Sequence, residues 1–145
     1  CEYLAEKHPE KRLWPADAPV RAHARSTSAE MHSGFGNLRS QMPMNVRRKI
    51  PNRATTREAS ADIARIQEIW EECRSRFGRT GPFLYGEFSI ADAMFAPVVS
   101  RFHTYGVALS DTGADYSRHI LALPAFLEWV AAANAETEVN PSYEP

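Results

Sequence analysis

In this 145-residue sequence, the residue types best suited to chemistry fall in one stretch, Ser28-Ala29-Glu30-Met31-His32-Ser33-Gly34-Phe35-Gly36-Asn37-Leu38-Arg39. On a continuous helix Ser28, His32, Phe35 and Arg39, at steps of four, three and four, share a flank beside the Met31–Leu38 core stripe. Such a flank can line a cleft, with His32 acting as a hydrogen-bond donor or as a cation near neutral pH. Met31 and Phe35 fit either a bundle core or the apolar wall of a pocket, and Arg39 fits either a solvated face or a substrate contact. Cys1 has no activating neighbour. No Cys-x-x-Cys or His-Glu-x-x-His spacing is present, so no metal site is expected. His8, His23, His103 and His119 read as surface residues.

A second constellation is Ser89-x-x-Asp92. A hydroxyl at the cap and a carboxylate at the third helical position can each accept the other's backbone N–H, which reads as a structural capping box. Phe88 before it and Ala93 or Met94 after it are placed to form a hydrophobic staple.

The elements that must position these residues read as helices. Val20, Ala24, Met31, Phe35, Leu38 and Met42 recur at helical intervals, so the spacing predicts one long helix from Pro19 to Gln41. Gly34 and Gly36 each cost it about 1 kcal/mol. Met42-Pro43 ends it, and Arg47-Arg48-Lys49-Ile50-Pro51-Asn52-Arg53 follows as a basic loop. Ile63, Ile66, Trp70, Cys73 and Phe77 form the inward stripe of a second helix that stops at Gly78. The segment from Phe88 to Val99 is apolar on nearly every side and predicts a buried helix containing Pro97. A short helix over Asp115–Leu121 and a last one opening on Pro124 complete an all-helical bundle of five or six helices. The expected organisation is a helix end at 1–8, a linker over 9–18 whose Leu13 and Trp14 pack on the domain, a helical domain over 19–136 and a tail over 137–145.

Hydrophobic residues make up 43% and charged residues 24%, with 17 basic against 18 acidic side chains and a net charge of −1. Such usage suits one ordinary globular domain. The apolar runs are too short for a membrane span, and two cysteines are too few for a disulfide scaffold, which points to a reducing, cytoplasmic setting. Residues 1–60 carry 11 basic and 6 acidic side chains, whereas residues 61–145 carry 6 and 12. The basic loop lacks interleaved aromatics, so no nucleic-acid partner is expected.

Phe88-Ser89-Ile90-Ala91-Asp92-Ala93 closely resembles the capping box and staple of the glutathione transferase C-terminal domain. Cys1 to Glu6 followed by Leu13-Trp14-Pro15 resembles the end of that family's thioredoxin-like N-terminal domain and its linker. Glu30-Met31-His32-x-Gly34-Phe35 is similar to the segment of bacterial members, notably the beta class, whose histidine projects toward the glutathione sulfur, although Ser33 stands where lysine is common. The resemblance implies a chain that lacks the thioredoxin-like domain and belongs to a homodimeric enzyme adding glutathione to small hydrophobic electrophiles. It implies that His32 assists thiolate formation, that Met31, Phe35 and Arg39 touch substrate, and that glutathione and the main thiol-activating residue belong to the domain upstream. The segment by itself is then inactive. The alternative is a noncatalytic protein-interaction module of the same shape.

Overall fold

The computed structural model describes residues 1–141, so the end of the expected tail, residues 142–145, lies outside the described residues. Seven α-helices follow in order: α1 Glu2–Lys7, α2 Ala18–Ser33, α3 Gly36–Gln41, α4 Arg57–Phe77, α5 Ile90–Tyr105, α6 Asp111–Leu121 and α7 Pro124–Ala135. Among the described residues there are no strands, apart from two isolated bridges in the 83–87 turn. The helices from α2 onward make up the expected bundle.

Local chemistry sets most helix ends. Asp17 Oδ1 accepts the Val20 N–H at 3.0 Å to start α2, Thr56 Oγ1 accepts that of Ala59 at 3.3 Å to start α4, and Ser110 Oγ accepts that of Gly113 at 3.2 Å to start α6. The last of these caps opens α6 a full turn before the expected Asp115. Gly78 closes α4 and Pro124 opens α7, both as expected.

The single helix expected from Pro19 to Gln41 is instead two. Gly34 is extended and Phe35 takes the left-handed conformation, with φ 59° and ψ 38°. A Cβ on Gly34 would stand 2.7 Å from the Glu30 carbonyl oxygen, so glycine is required there. A left-handed bulky residue costs on the order of 1–3 kcal/mol. Two gains offset this strain. The Phe35 ring is buried in the core, and Asp62 Oδ2 reaches across from α4 to accept the Leu38 N–H at 2.9 Å. That carboxylate caps α3 from a neighbouring helix, a partner that periodicity within residues 19–41 could not reveal.

Helix α5 runs through the core. Trp70 of α4 makes ring contacts with Phe95 and Phe102 of α5 and with Tyr116 of α6, at centroid separations of 6.1, 5.5 and 5.0 Å. At its start, Ser89 and Asp92 close the expected capping box. Phe88, half exposed, packs edge-on against Phe83. The Ile90 N–H, free at the helix start, donates to the Leu13 carbonyl at 2.9 Å. This bond pins the linker, and Trp14 is buried with it, as expected.

Candidate functional site

A groove of about 680 Å³ opens where the linker, α2 and the first turns of α5 meet. Trp14, Ala29, Ile90 and Met94 form its apolar walls, Ser28 and His32 its polar edge, and Cys1, Glu2 and Arg25 its mouth. The pinning of Leu13 to Ile90 holds one wall against the other. His32, on the last turn of α2, is exposed. Buried Ser28 donates its hydroxyl proton to the Ala24 carbonyl at 2.7 Å, which leaves its oxygen able to accept a further bond. Arg25 grips Glu2 through two hydrogen bonds, one of them 3.0 Å between Nε and Oε1, and its guanidinium lies over the Trp14 ring. This arrangement can receive a small apolar molecule and present an imidazole to it. A larger cleft of about 1170 Å³ between α4 and α6 is highly charged, with Glu68, Glu71, Glu72, Asp111 and Asp115 in its wall beside Arg74 and Arg79. Those side chains make it a poor host for an apolar ligand.

The break at Gly34 divides the expected flank. Ser28 and His32 lie in the groove, whereas Met31 and Phe35 are buried in the core, and neither they nor Arg39 lines the groove. Arg39 turns back toward the Met31 carbonyl, 3.4 Å from its Nη1. The substrate contact expected of these three is therefore not at the groove. The residues that do line it with His32 also carry a helical signal, because Arg25, Ser28, Ala29 and His32 recur at three, one and three steps. Reading backward from His32 through α2, instead of forward across Gly34, would have found them.

The reading of His23 as a surface residue is corrected. His23 Nδ1 is 2.8 Å from the Tyr85 hydroxyl and its Nε2 is 3.4 Å from Glu72 Oε1. The same hydroxyl is 2.9 Å from Thr27 Oγ1 and receives the Cys73 thiol at 3.3 Å. Helices α2 and α4 and the turn carrying Tyr85 thus share one hydrogen-bonded hub. Burial pushes the Tyr85 phenol far up and the Cys73 thiol up to about 11, so Cys73 is an inert core residue.

Ser89 and Asp92 form the capping box of α5. Asp92 Oδ2 accepts the Ser89 N–H at 2.8 Å and its hydroxyl at 3.1 Å, and Oδ1 accepts the Leu84 N–H at 3.0 Å. Burial nevertheless raises the carboxyl above its usual range. No cluster of His, Cys, Asp and Glu fit to hold a metal occurs among the described residues, and no described helix is long and apolar enough to cross a membrane.

Comparisons with known proteins agree with the all-helical fold. Over 112 residues the chain is 28% identical to a stringent starvation protein A homologue of Haemophilus ducreyi, an alignment covering 77% of this chain and 49% of the relative. It superposes with a TM-score of 0.65 and 22% identity on the crystal structure of a glutathione transferase homologue from Burkholderia gl BGR1 with bound glutathione. That match covers 93% of this chain and 64% of the solved one. The chain thus spans about half the length of the curated relative and under two thirds of the solved one. The family model for the glutathione S-transferase C-terminal domain matches residues 54–132, more than half of the chain, and by that match the chain belongs to this family.

Proposed function

We propose that this chain is the electrophile-binding half of a cytoplasmic, homodimeric glutathione transferase. The observation that carries this reading is the apolar groove beside Cys1 and Glu2, edged by His32. In this reading a thioredoxin-like domain preceding Cys1 holds glutathione and supplies the main thiol-activating residue. The small hydrophobic electrophile lies against Trp14, Ile90 and Met94, and His32 donates a hydrogen bond toward the sulfur. A free thiol of pKa about 8.5 is mostly protonated at neutral pH, and lowering it by two units requires roughly 2.7 kcal/mol of differential stabilisation. One imidazole donor supplies part of this.

The test uses the protein with its upstream domain, about 80 residues by typical domain size, and an aromatic chloride as electrophile. His32→Ala is expected to lower kcat/KM about tenfold and to move the acid limb of its pH profile upward. An unchanged profile would reduce His32 to a surface residue. Residues 1–145 alone are expected to show little glutathione affinity by calorimetry. The second reading is a noncatalytic interaction module, favoured by α7, which buries no residue and leaves Leu127 and Trp129 exposed. Absence of turnover by the longer protein, together with a stable partner complex, would select it.

A further inference from the structure

A hydroxyl buried on a helix commonly turns back to the carbonyl four residues before it, because the alternative is an unpaired polar group in an apolar setting. Ser28, Ser33, Ser40 and Ser60 all do so, at 2.7 to 2.9 Å. Ser117 of α6 does not. It is as buried as Ser28, each being 7% exposed, yet its Oγ has no hydrogen-bond partner among the described residues. Ser117 lies in the wall of a pocket of about 190 Å³ at the junction of α5 and α6. Most of that wall is apolar: Val99 and Phe102 of α5, Val107 and Leu109 of the connecting loop, and Leu121 of α6. His103, which also lines it, is exposed.

The frame of this pocket is fixed by the chain itself. Gly106 ends α5 in the left-handed conformation, with φ 63°, and the Val107 N–H returns to the Phe102 carbonyl at 3.0 Å. Gln67 of α4 then fastens the loop at two points: its Oε1 accepts the Ser110 N–H at 2.8 Å, and its Nε2–H donates to the Ala108 carbonyl at 3.4 Å. The walls are therefore in place before any ligand arrives, which keeps the entropy lost on binding small. His103 adds no charge. Its Nε2 contacts the Lys49 ammonium, which is a donor only, so the ring is neutral with its proton on Nδ1. Burial and the Lys49 charge both hold that imidazole below its usual range.

The geometry points to a small-molecule site between α5 and α6, which takes a neutral molecule about one ring in size and pairs its single hydroxyl or carbonyl group with Ser117. An apolar cavity of about 150 Å³ already admits benzene, so the volume suits a six-membered ring with one substituent. A carboxylate or ammonium would give up its hydration against apolar side chains for one uncharged partner, which disfavours charged ligands. None of the residues lining this pocket lines the groove beside His32. The site is thus separate from the one proposed to hold the electrophile, and it stands whether or not that groove serves glutathione chemistry.

The test follows the methyl resonances of Val99, Val107, Leu109 and Leu121 by NMR while phenol, benzene and benzoate are titrated separately into the 145-residue chain. Phenol is expected to give saturable shifts at these methyls, and benzoate none. Ser117→Ala is expected to lower the ratio of phenol to benzene affinity about fivefold, the worth of one hydrogen bond. Its Tm should stay within about 2 °C of wild type, because the hydroxyl removed bonds to nothing in the chain. Should that variant fail to fold, Val107→Phe, which sets a ring in the loop wall of the pocket, is expected to abolish saturation by phenol and benzene alike. Phenol shifts that never saturate or that saturate equally in Val107→Phe, benzoate binding as tightly as phenol, or an unchanged affinity ratio in Ser117→Ala would each overturn the proposal.

Discussion

The two ends of α5 handle charge in opposite ways. At the N-terminal end the Asp92 carboxylate is fully buried, yet three donors from Leu84 and Ser89 surround it. At the C-terminal end Arg101 is half buried and is held by two carbonyls, with no carboxylate partner among the described residues. A charge whose partners are all supplied by its own chain does structural work, since nothing is left for a ligand to satisfy. A charge that is braced but lacks a counter-ion keeps the capacity to bind one.

Removing Asp92 should have the largest effect. Asp92→Ala strands the buried Leu84 and Ser89 N–H groups, and a loss of about 3 kcal/mol is expected in denaturant melts. A loss below about 1 kcal/mol would break the comparison by showing that the box is dispensable. The pH dependence sharpens it. Burial holds the folded-state pKa of Asp92 above its unfolded value. Its contribution is then fully present below the ordinary carboxyl pKa and is lost as pH rises through the folded value. Relative to Asp92→Asn, the wild type should lose stability as pH climbs through and above the carboxyl range.

An intermediate effect is expected where α4 caps α3. Asp62→Ala should destabilise by about 1 kcal/mol. It should speed amide exchange at Leu38 while leaving α4 protected; equal exchange in both helices would show that the break at Phe35 does not depend on this cap. The smallest thermodynamic effect concerns Cys73. Its thiol, pushed up to about 11, contributes stability that is present below the ordinary thiol pKa and is lost as pH rises through the folded value. Iodoacetamide at about pH 8 should label exposed Cys1 at least about 100-fold faster than Cys73. Comparable rates would mean that the hub around Tyr85 opens readily.

Where helix chemistry is local, the fold was legible. The Ile63–Phe77 stripe, the Gly78 stop, the capping box at Ser89 and the Pro124 start all rest on residues within a few positions of one another, and each lies where expected. The candidate site was legible only as far as α2 continues. Ser28 and His32 reach the groove, but every residue after Gly34 is reoriented by a left-handed Phe35 that the Leu38–Asp62 bond supports. His23 was misjudged for a similar reason. Its partners Tyr85 and Glu72 are 62 and 49 residues distant, and a lone histidine at a helical position gives no sign of them.

The order of apolar, capping and breaking residues along the chain determined by itself an all-helical bundle with a buried, capped α5, because helix periodicity and end capping act over a turn or two. Only the tertiary structure decided which side chains face a groove and which buried charges are satisfied. Those outcomes depend on contacts between helices far apart in sequence, and such contacts select one backbone break or side-chain direction from several that local energetics leaves nearly equal.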